Sequence, residues 1–567
     1  MKQFMFDSDK PKIVQKKRDT KAFQSDIFWL GPIQRRGNQD TGLPVALVLW
    51  LLFLTIALGC SAAQTSQSPE SLNEKAQNYY NQGNYPAAEQ LFQQVLSLRE
   101  KSLGPNDPAV ATNLNNLAES YRVQGKYHEA EALFRRAVAI LEKTPEAEPT
   151  RLAVSLNNLG VLHRDLGQYR DAEPLFKRSL MISEKAFGPD HPNVATSLNN
   201  LADLYRIQAR YIAAEPLIRR ALAIDEKALG KDHPKVGTDL NNLGGLQRDL
   251  GKYAEAEELH RKALAITERA LGPENPTVAV SLNHLATIYR IKGNYSEAES
   301  LYRRALTINE RIFGPEHPTV ALSLISFAEL YRELGRYTEA LPLYQRGVAI
   351  IEKVLGPTHP NVASSLIDWS KLYRNEGQYD DAERLIKRSL AISEKGELNP
   401  AAALNNLASL YTTQRKYTDA EPLYKQALSI REKLLGPEHP RVAETLNDLA
   451  VLYDSQGKYV EAERLYRRAL SIDEKAFGTE HPSIAIDLNN LAILDSSQGK
   501  YNEAEPLFKR ALNIWAKTLG PDHPHVASGL ESYAALLRMT NRENEAAKLL
   551  ERAKAIRAKY ASQVAQH

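Results

Sequence analysis

The sequence predicts an all-α protein, an α-α superhelix of about twelve helix-turn-helix repeats, on three observations. An anchor tyrosine returns every 42 residues along most of the chain. Each interval contains two stretches whose apolar residues fall at helical spacing. A glycine-containing turn lies between the two stretches, and a glycine-proline linker closes the interval. Because one helical hairpin can bury its apolar stripe only against copies of itself, the intervals predict a stacked α-solenoid.

The composition narrows the function before any motif is considered. The chain has 567 residues, of which 43% are hydrophobic and 25% charged, the balance of a soluble helical protein. Its formal net charge of +3 gives no global field that would favour nucleic acid as a partner. The single cysteine, Cys60, excludes a disulfide framework and a zinc site of several thiolates. No cofactor is predicted.

The first 70 residues differ from the rest of the chain. Residues 1–42 form a basic leader that we expect to be disordered, and residues 43–60 form an apolar run with small residues at its end. Residues 61–70, rich in Ser, Ala and Gln, predict a flexible tether. This order describes a secretory signal, and the apolar run is shorter than the ~20 residues of a comfortable transmembrane helix.

Cys60 stands where the apolar run ends. The preceding Ile56-Ala57-Leu58-Gly59 resembles the bacterial lipobox, whose cysteine is lipidated, although leucine is usual where Ala57 stands. Cleavage by an ordinary signal peptidase near Ser61-Ala62-Ala63 and an uncleaved anchor are the alternatives. We therefore expect a membrane-anchored or exported, periplasmic protein, and a cytoplasmic one if this segment is not functional.

The repeat pattern explains each element of a unit. Leu198, Leu201 and Tyr205 define the apolar stripe of a first helix, Gly188 is placed to end a second helix, and Pro192 to begin the next first helix. The anchor tyrosines are Tyr85, Tyr127, Tyr169, Tyr211, Tyr253, Tyr295, Tyr337, Tyr379, Tyr417, Tyr459 and Tyr501.

The spacing changes once, and this change divides the array. Tyr417 follows Tyr379 after 38 residues, and the linker between them has lost the full Gly-Pro-x-His-Pro motif and reads Gly396-Glu397-Leu398-Asn399-Pro400. We therefore separate units 1–8, residues 71–396, from units 9–12, residues 397–560. The last unit has Glu543 in place of its tyrosine, which suits a terminal capping unit with a wetted outer face.

These motifs resemble those of a known family. Gly-x-Tyr, Ala-x-x-x-Phe and Ala-Leu at these offsets resemble the tetratricopeptide repeat. The 42-residue period, Leu-Asn-Asn-Leu-Ala and Gly-Pro-x-His-Pro resemble its kinesin light chain subtype, which also occurs in many bacterial proteins. The resemblance implies an interaction scaffold whose concave groove binds extended peptides. The chain has neither a heptad coiled coil for a motor nor a phosphate-binding loop.

One row of polar residues follows the predicted groove. If the small residue of Leu-Asn-Asn-Leu-Ala is numbered eight, positions 2, 5, 9 and 12 share one face of the first helix. Position 5 is asparagine, whose amide could pair with the backbone of an extended guest or could bond only to the neighbouring unit. These asparagines are Asn115, Asn157, Asn199, Asn241, Asn283, Asn405, Asn447 and Asn489.

Position 12 forms a second row, of arginines that suit carboxylate or phosphate groups. It predicts an electropositive groove for acidic segments, unless nearby carboxylates neutralise it. The arginines are Arg122, Arg164, Arg206, Arg248, Arg290, Arg332 and Arg374. The nearby acids are Glu119, Asp165, Asp203, Asp249, Glu329 and Glu333. From unit 9 onward the position holds Thr412, Asp454 and Ser496.

Two isoleucines interrupt the asparagine row. Ile325 and Ile367 occupy position 5 beside Phe327 and Trp369, and they predict an apolar floor for a side chain of the guest. Phe327 and Trp369 fill a core position, where packing is the expected role.

The linker histidines do not indicate an enzyme. Each precedes a proline in the same linker, and Asp107 and Asn275 take that place in other units, which suits helix capping and not catalysis or metal binding. We therefore predict no catalytic residue and no metal. The histidines are His191, His233, His317, His359, His439, His481 and His523.

The sequence predicts a protein-protein interaction scaffold that binds extended, acidic segments of partner proteins in its groove. The alternative is a structural or assembly factor for a membrane-associated complex, with contacts on the convex or edge surfaces. The partners expected are proteins or peptides, and the membrane through the N-terminal segment, with no nucleic acid.

Overall fold

The computed structural model describes residues 68–143, 148–396 and 398–565. The contacts within the chain divide it into two parts, Met1–Ser71 and Leu72–His567, of which the second contains the repeat units. Cys60, the apolar run 43–60 and the leader lie outside the described residues, so the predicted anchor, lipidation and localisation stay predictions. In the three described stretches, every helix is too short or too polar to span a bilayer.

The described residues form 24 helices and no strand, which confirms the predicted fold class. Each unit has a first helix with an odd number and a second helix with an even number. The first helices are α1 Pro69–Asn81, α3 Pro108–Val123, α5 Pro149–Asp165, α7 Pro192–Ile207, α9 Pro234–Asp249, α11 Pro276–Ile291, α13 Pro318–Glu333, α15 Pro360–Asn375, α17 Ala401–Thr413, α19 Pro440–Ser455, α21 Pro482–Ser497 and α23 Pro524–Met539. The second helices are α2 Tyr85–Leu103, α4 Tyr127–Leu141, α6 Tyr169–Phe187, α8 Tyr211–Leu229, α10 Tyr253–Leu271, α12 Tyr295–Phe313, α14 Tyr337–Leu355, α16 Tyr379–Lys395, α18 Tyr417–Leu435, α20 Tyr459–Phe477, α22 Tyr501–Thr518 and α24 Glu543–Ala565.

The ends of the helices follow the signals in the sequence. Pro192 is the first residue of α7, where its missing N–H costs nothing, and Gly188 ends α6 with a φ of +84°. Gly167 turns the chain between α5 and α6 with a φ of +74°. Ala209 and Arg415 occupy the same turn in units 4 and 9, with φ of +56° and +59°, in a region that side chains disfavour.

Small and aromatic residues build the core between helices. Phe176 of α6 and Ala202 of α7 are fully buried. A Cβ added to Gly160 of α5 would lie 3.0 Å from the Phe176 ring, so the two helices approach too closely for a larger residue. From α3 onward, each first helix packs on the second helix of its own unit and on that of the preceding unit, which is the continuous core expected of a solenoid.

Residues separated by five to six units also touch within Leu72–His567. The ring of Tyr211 stacks on that of Phe477 with centroids 5.6 Å apart, and Tyr295 meets Tyr560 edge-on at 5.6 Å. Tyr211 and Tyr295 each begin a second helix, Phe477 ends one, and Tyr560 lies within the last one. Units 7–12 therefore lie against units 1–6, as successive turns of one superhelix.

Candidate functional site

The candidate site is the inner face, by which we mean positions 2, 5, 9 and 12 of the first helices. Position 5 links neighbouring units. The amide nitrogen of Asn115 donates to Ser155 Oγ over 2.7 Å, that of Asn199 to Asp239 over 2.6 Å, and that of Asn241 to Ser281 over 2.9 Å. These hydrogen bonds join one unit to the next and fix the stacking register. They are the second of the two roles expected for the row.

Fewer of the side-chain carbonyl oxygens of these asparagines form hydrogen bonds. Asn157 Oδ1 accepts from Asn200, and Asn241 Oδ1 lies 2.9 Å from His260 Nδ1. Six others are buried with no hydrogen-bond partner among the described residues: Asn115, Asn199, Asn283, Asn405, Asn447 and Asn489. Because these oxygens are buried, a guest reaches them only if side chains move, and peptide binding by this row stays a prediction.

The arginine row is paired with carboxylates of its own chain. Arg164 contacts Asp203 at 3.0 Å and Asp165 at 2.9 Å, and Arg206 contacts Asp203 at 3.0 Å and also pairs with Asp249. Arg122 pairs with Glu119 and Asp165, Arg248 with Asp249, Arg290 with Glu333, and Arg332 with Glu329. The partners are the six acids that the sequence offered as neutralising groups.

This pairing decides the protonation of Asp165 and Asp249. Burial raises the pKa of the Asp165 carboxyl, but the guanidinium groups of Arg122 and Arg164 outweigh burial and hold that pKa below its ordinary value. The same balance, through Arg248 and Arg206, lowers the pKa of Asp249. Asp165 and Asp249 are therefore charged at neutral pH and neutralise the arginines beside them, whereas at Glu333 burial outweighs Arg290 and Arg332 and raises the pKa.

This network depends on position 13, whose residue type alternates from one unit to the next. Position 13 is acidic in units 3, 5 and 7, at Asp165, Asp249 and Glu333, and Val or Ile in units 2, 4 and 6. Each acid therefore lies between the arginine of its own unit and that of the preceding unit. Comparison of alternate units, rather than neighbouring ones, would have shown this signal in the sequence.

Arg374 differs from the other six. Among the described residues it has no carboxylate within 4 Å, and its Nη1 donates to Ser409 Oγ over 3.1 Å. Burial and the charge of Arg332 lower its pKa, while the more distant Asp448 opposes them. Burial in turn raises the pKa of Asp448 to about 6, although that carboxyl accepts a hydrogen bond from Asn405. Arg374 is thus a half-buried cation that is only partly compensated.

Beyond Arg374, units 9–12 carry no arginine at position 12 until Arg538 in the last unit. Position 9 is Ser409 in unit 9 and becomes apolar and exposed in units 10 and 11, with Val451 41% and Ile493 37% exposed. Ile486, at position 2 of the same helix as Ile493, is 41% exposed. In contrast, the acids at position 9 of units 2 and 4 are buried. Position 2 is also apolar and exposed in units 3 and 7, with Val154 50% and Leu322 39% exposed, but the large apolar residues exposed at position 9 lie in units 10 and 11.

The two isoleucines of the asparagine row are buried. Ile325 and Ile367 are each 8% exposed, and each belongs to a core cluster. Phe327 is also buried, with its ring 6.2 Å from that of Tyr302. The apolar floor predicted at these positions has little accessible surface, and its role in binding stays a prediction.

The linker histidines are helix caps, as predicted. In each, Nδ1 accepts from the backbone N–H two residues later, for example His191 from Asn193 over 3.1 Å. The same bond is formed by His233, His317, His359, His439, His481 and His523 over 3.1 or 3.2 Å. Asp107 and Asn275 cap the equivalent helices with side-chain oxygens.

Two buried carboxylate pairs were not anticipated. Asp473 on α20 and Asp487 on α21 are buried between neighbouring units, and burial together with their mutual repulsion raises the pKa of Asp473 to about 8. Burial also raises the pKa of Asp487 to about 7. The equivalent pair between units 6 and 7 is neutral, with Asn309 donating to Ser323 over 3.0 Å. The second acidic pair, Asp225 and Asp239, likewise raises the pKa of Asp239 to about 8.

Comparison with known families agrees with this architecture. A model of the tetratricopeptide repeat matches residues 67–143, 151–227, 204–269, 236–311, 277–353, 319–395, 399–475, 456–514 and 483–559. The chain belongs to the tetratricopeptide-repeat family. This family is a type of protein-interaction scaffold, and its members bind protein partners.

Solved structures of kinesin light chain-like repeats are among its structural neighbours. A Podosopora anserina kinesin light chain structure of nearly identical TPR-like repeats shares 28% identity over 36% of this chain and 97% of that one, with a TM-score of 0.30. BtubC (BKLC) from P. vanneervenii shares 24% identity over 41% of this chain and 92% of that one, with a TM-score of 0.35. No curated protein matches the chain.

Proposed function

We propose that this tetratricopeptide-repeat scaffold binds an extended segment of a partner protein along the inner face of units 8–11. A carboxylate of that segment would pair with Arg374, and its apolar side chains would cover Val451, Ile486 and Ile493. The observation that supports this most directly is that Arg374 is the one arginine of its row without a carboxylate within 4 Å among the described residues.

The sequence predicts an acidic guest with many anionic contacts, whereas this proposal needs only one carboxylate of the guest, at Arg374. Six arginines of the row already have partners, and an acidic segment would have to displace those carboxylates and leave them buried and unpaired. Loss of one partner from such a pair costs several kcal/mol, which a peptide contact at the same place would barely recover. At Arg374 the same contact displaces only the Ser409 hydroxyl.

The apolar part of the guest follows from exposure. Val451 and Ile493 occupy the same position on successive first helices, and Ile486 and Ile493 are two helical turns apart on one face. A guest that crosses units 10 and 11 would bury all three, and each covered side chain contributes roughly 25 cal/mol per Å² removed from water. Extended segments gain such contacts through alternate side chains.

Selection of peptides tests the proposal even while the natural partner is unidentified. Random peptides displayed on phage would be selected on the immobilised full-length chain, and the affinity of the enriched peptides measured by fluorescence anisotropy. We expect one Asp, Glu or C-terminal carboxylate beside apolar residues. Arg374→Gln should weaken binding about tenfold or more, since a hydrogen bond to a charged group contributes about 1.5–3 kcal/mol.

The matched control is Arg384→Gln, which removes the same charge from an exposed position of the second helix of unit 8. It should leave the affinity unchanged, whereas Val451→Asp and Ile493→Asp should reduce it. Failure to enrich any peptide, or enrichment of polyacidic peptides whose affinity depends on Arg206 and not on Arg374, would contradict the proposal. Binding that is lost only with Ile212→Asp, on the exposed start of α8, would favour the assembly role through outer surfaces.

We also propose that the N-terminal segment tethers the scaffold to a membrane through Cys60. The support is the order of basic leader, apolar run and cysteine in the sequence. Cells grown with labelled palmitate should incorporate it into the wild-type chain and not into Cys60→Ser. Equal incorporation in both would exclude lipidation at Cys60.

A further inference from the structure

Three linker histidines reach across to the preceding turn of the superhelix. His359 Nε2 lies 3.0 Å from the carbonyl oxygen of Val123, His439 Nε2 lies 3.0 Å from that of Ile207, and His523 Nε2 lies 3.1 Å from that of Ile291. The partners are 236, 232 and 232 residues apart in the chain. These hydrogen bonds, with the close approach of the His481 ring to Gly251, form what we call the inter-turn seam.

The geometry fixes which ring nitrogen carries the proton. Nδ1 of each histidine accepts the capping bond, so the neutral ring has its hydrogen on Nε2 and donates it to the carbonyl. Val123, Ile207 and Ile291 are each the last residue of a first helix, where carbonyls have no partner within the helix. One side chain therefore caps the start of its own helix and satisfies the end of a helix one turn away.

Histidine burial follows the seam. His317, His359, His439, His481 and His523 are buried, whereas His191, in a linker of the first turn, is half-buried and stacks on Phe187 with centroids 4.6 Å apart. No earlier turn lies beside His191 for it to reach within the described part of the chain. The buried histidines thus owe their burial to the neighbouring turn and not to the linker itself.

The glycines of the opposing turns support the same contact. A Cβ on Gly125 would lie 3.1 Å from the His359 ring, and one on Gly251 would lie 2.7 Å from the His481 ring. Gly167, in unit 3, has nothing within 4 Å, and the linker that would oppose it is the shortened one with Asn399 in place of histidine. The seam is therefore interrupted where the sequence loses its histidine.

We propose that the inter-turn seam is a conformational latch, which holds successive turns of the superhelix closed and releases them when His439, His481 and His523 take up a proton. A protonated ring has a hydrogen on Nδ1 and can no longer accept the capping bond. It also places its charge at the positive end of its own helix dipole, which opposes the favourable effect of the negative end of the opposing helix. The ring then loses the orientation that directs Nε2 to the opposite carbonyl.

The groups around these histidines agree with release in acid. Burial lowers the pKa of His481 and of His523 to about 4, against the opposing effect of Asp249 on His481, and His525 lowers that of His523 further. Burial also lowers the pKa of His439, beside Arg441, Arg431 and Glu444, and Arg441 also lies near Tyr169 and Tyr211 of the preceding turn. Because the folded pKa lies below the ordinary value, this stability is present above about pH 6.5 and is lost as the pH falls through 4.

Substitution of histidine by asparagine separates the two roles. Asn275 caps its helix through Oδ1, which accepts from Thr277 N over 2.9 Å, so asparagine keeps the cap but is too short to reach the next turn. The test compares the full-length triple variant His439→Asn, His481→Asn, His523→Asn with His191→Asn. Radius of gyration and maximum dimension would be measured by small-angle X-ray scattering, and helix content by circular dichroism.

At pH 7 the triple variant should keep its helix content and gain in radius of gyration and maximum dimension, and His191→Asn should match the wild type. On acidification to pH 4.5 the wild type should extend reversibly, and the triple variant should change much less. Equal dimensions of wild type and triple variant at pH 7 would overturn the latch. If the triple variant loses helix, the single variant His523→Asn, at the last linker, decides the same comparison.

Discussion

The inner faces of units 2–7 and of units 9–11 are built on one repeat but handle charge in opposite ways. In the first region, arginines at position 12 are tied to six carboxylates of their own chain. In the second, that position holds Thr412, Asp454 and Ser496, and the apolar side chains at position 9 of units 10 and 11 are exposed. Arg374 lies at the boundary. A periodic row of charge can therefore serve the repeat itself, while an interruption of the row leaves surface for a guest.

Loss of a paired arginine should destabilise the first region. Arg206→Leu leaves the buried Asp203 and the half-buried Asp249 without one of their partners, and we expect it to lower the free energy of unfolding of units 4 and 5 by about 3 kcal/mol. Because repeat units unfold locally, native-state hydrogen exchange of α7 and α9 is the suitable measurement.

The same substitution at Arg374, the boundary between the two regions, should hardly change the free energy of unfolding. Arg374→Leu removes one hydrogen bond to Ser409 and a charge that burial already disfavours. A loss of stability as large as that of Arg206→Leu would show that Arg374 is paired as firmly as the others, and the distinction between the regions would fail.

A buried acid in the second region gives the next largest effect. Asp473→Asn removes a carboxyl that repels Asp487, and we expect it to stabilise units 10 and 11 by on the order of 2 kcal/mol at pH 8. Chemical denaturation monitored by hydrogen exchange of α20 and α21 would measure it. If the variant is less stable than the wild type at pH 8, the two carboxyls share a proton and their contact stabilises the folded state.

The pH dependence follows from the direction of the shift. The Asp473 carboxyl has a pKa of about 8 in the folded chain, above the ordinary value of 3.8, so the folded state binds more protons between these values. Stability therefore falls as the pH rises from about 4 to 8. Asp473→Asn should flatten this dependence, and its effect on stability should nearly vanish at pH 4.

The smallest effect concerns the turn of unit 9. Arg415 holds a φ of +59° where most other units have glycine, and Arg415→Gly should stabilise the turn by about 1 kcal/mol. Ala209→Gly, at the equivalent turn of unit 4 with φ of +56°, is the matched change in the first region. The rise in thermal midpoint, measured by circular dichroism, should be similar for both, and a decrease in either would contradict the assigned strain.

The fold was predictable because every local signal repeats. Pro192, Gly167 and Gly188 begin and end helices as their backbone preferences dictate, and the histidine caps followed from their place before proline. The acids that answer the arginines were predictable as well, because they lie on the same helices within reach.

The site was less predictable because it depends on which of several possible contacts between units form in the folded chain. One helix face does not show that Arg206 pairs with Asp249 of the next unit. Contacts between residues more than 230 positions apart, such as His439 with Ile207, arise from the rise of the superhelix per turn, which no single unit specifies. The Asp473–Asp487 pair depends equally on how two units pack.

Whether a guest binds at the boundary and beyond it can be decided by a hydrogen-exchange footprint of the full-length chain with and without a selected peptide. We expect slower exchange along α17, α19 and α21, with the effect lost in Arg374→Gln and kept in Arg384→Gln. Protection confined to α3, α5, α7 and α9 would place the guest on the paired arginines and would contradict binding at units 8–11.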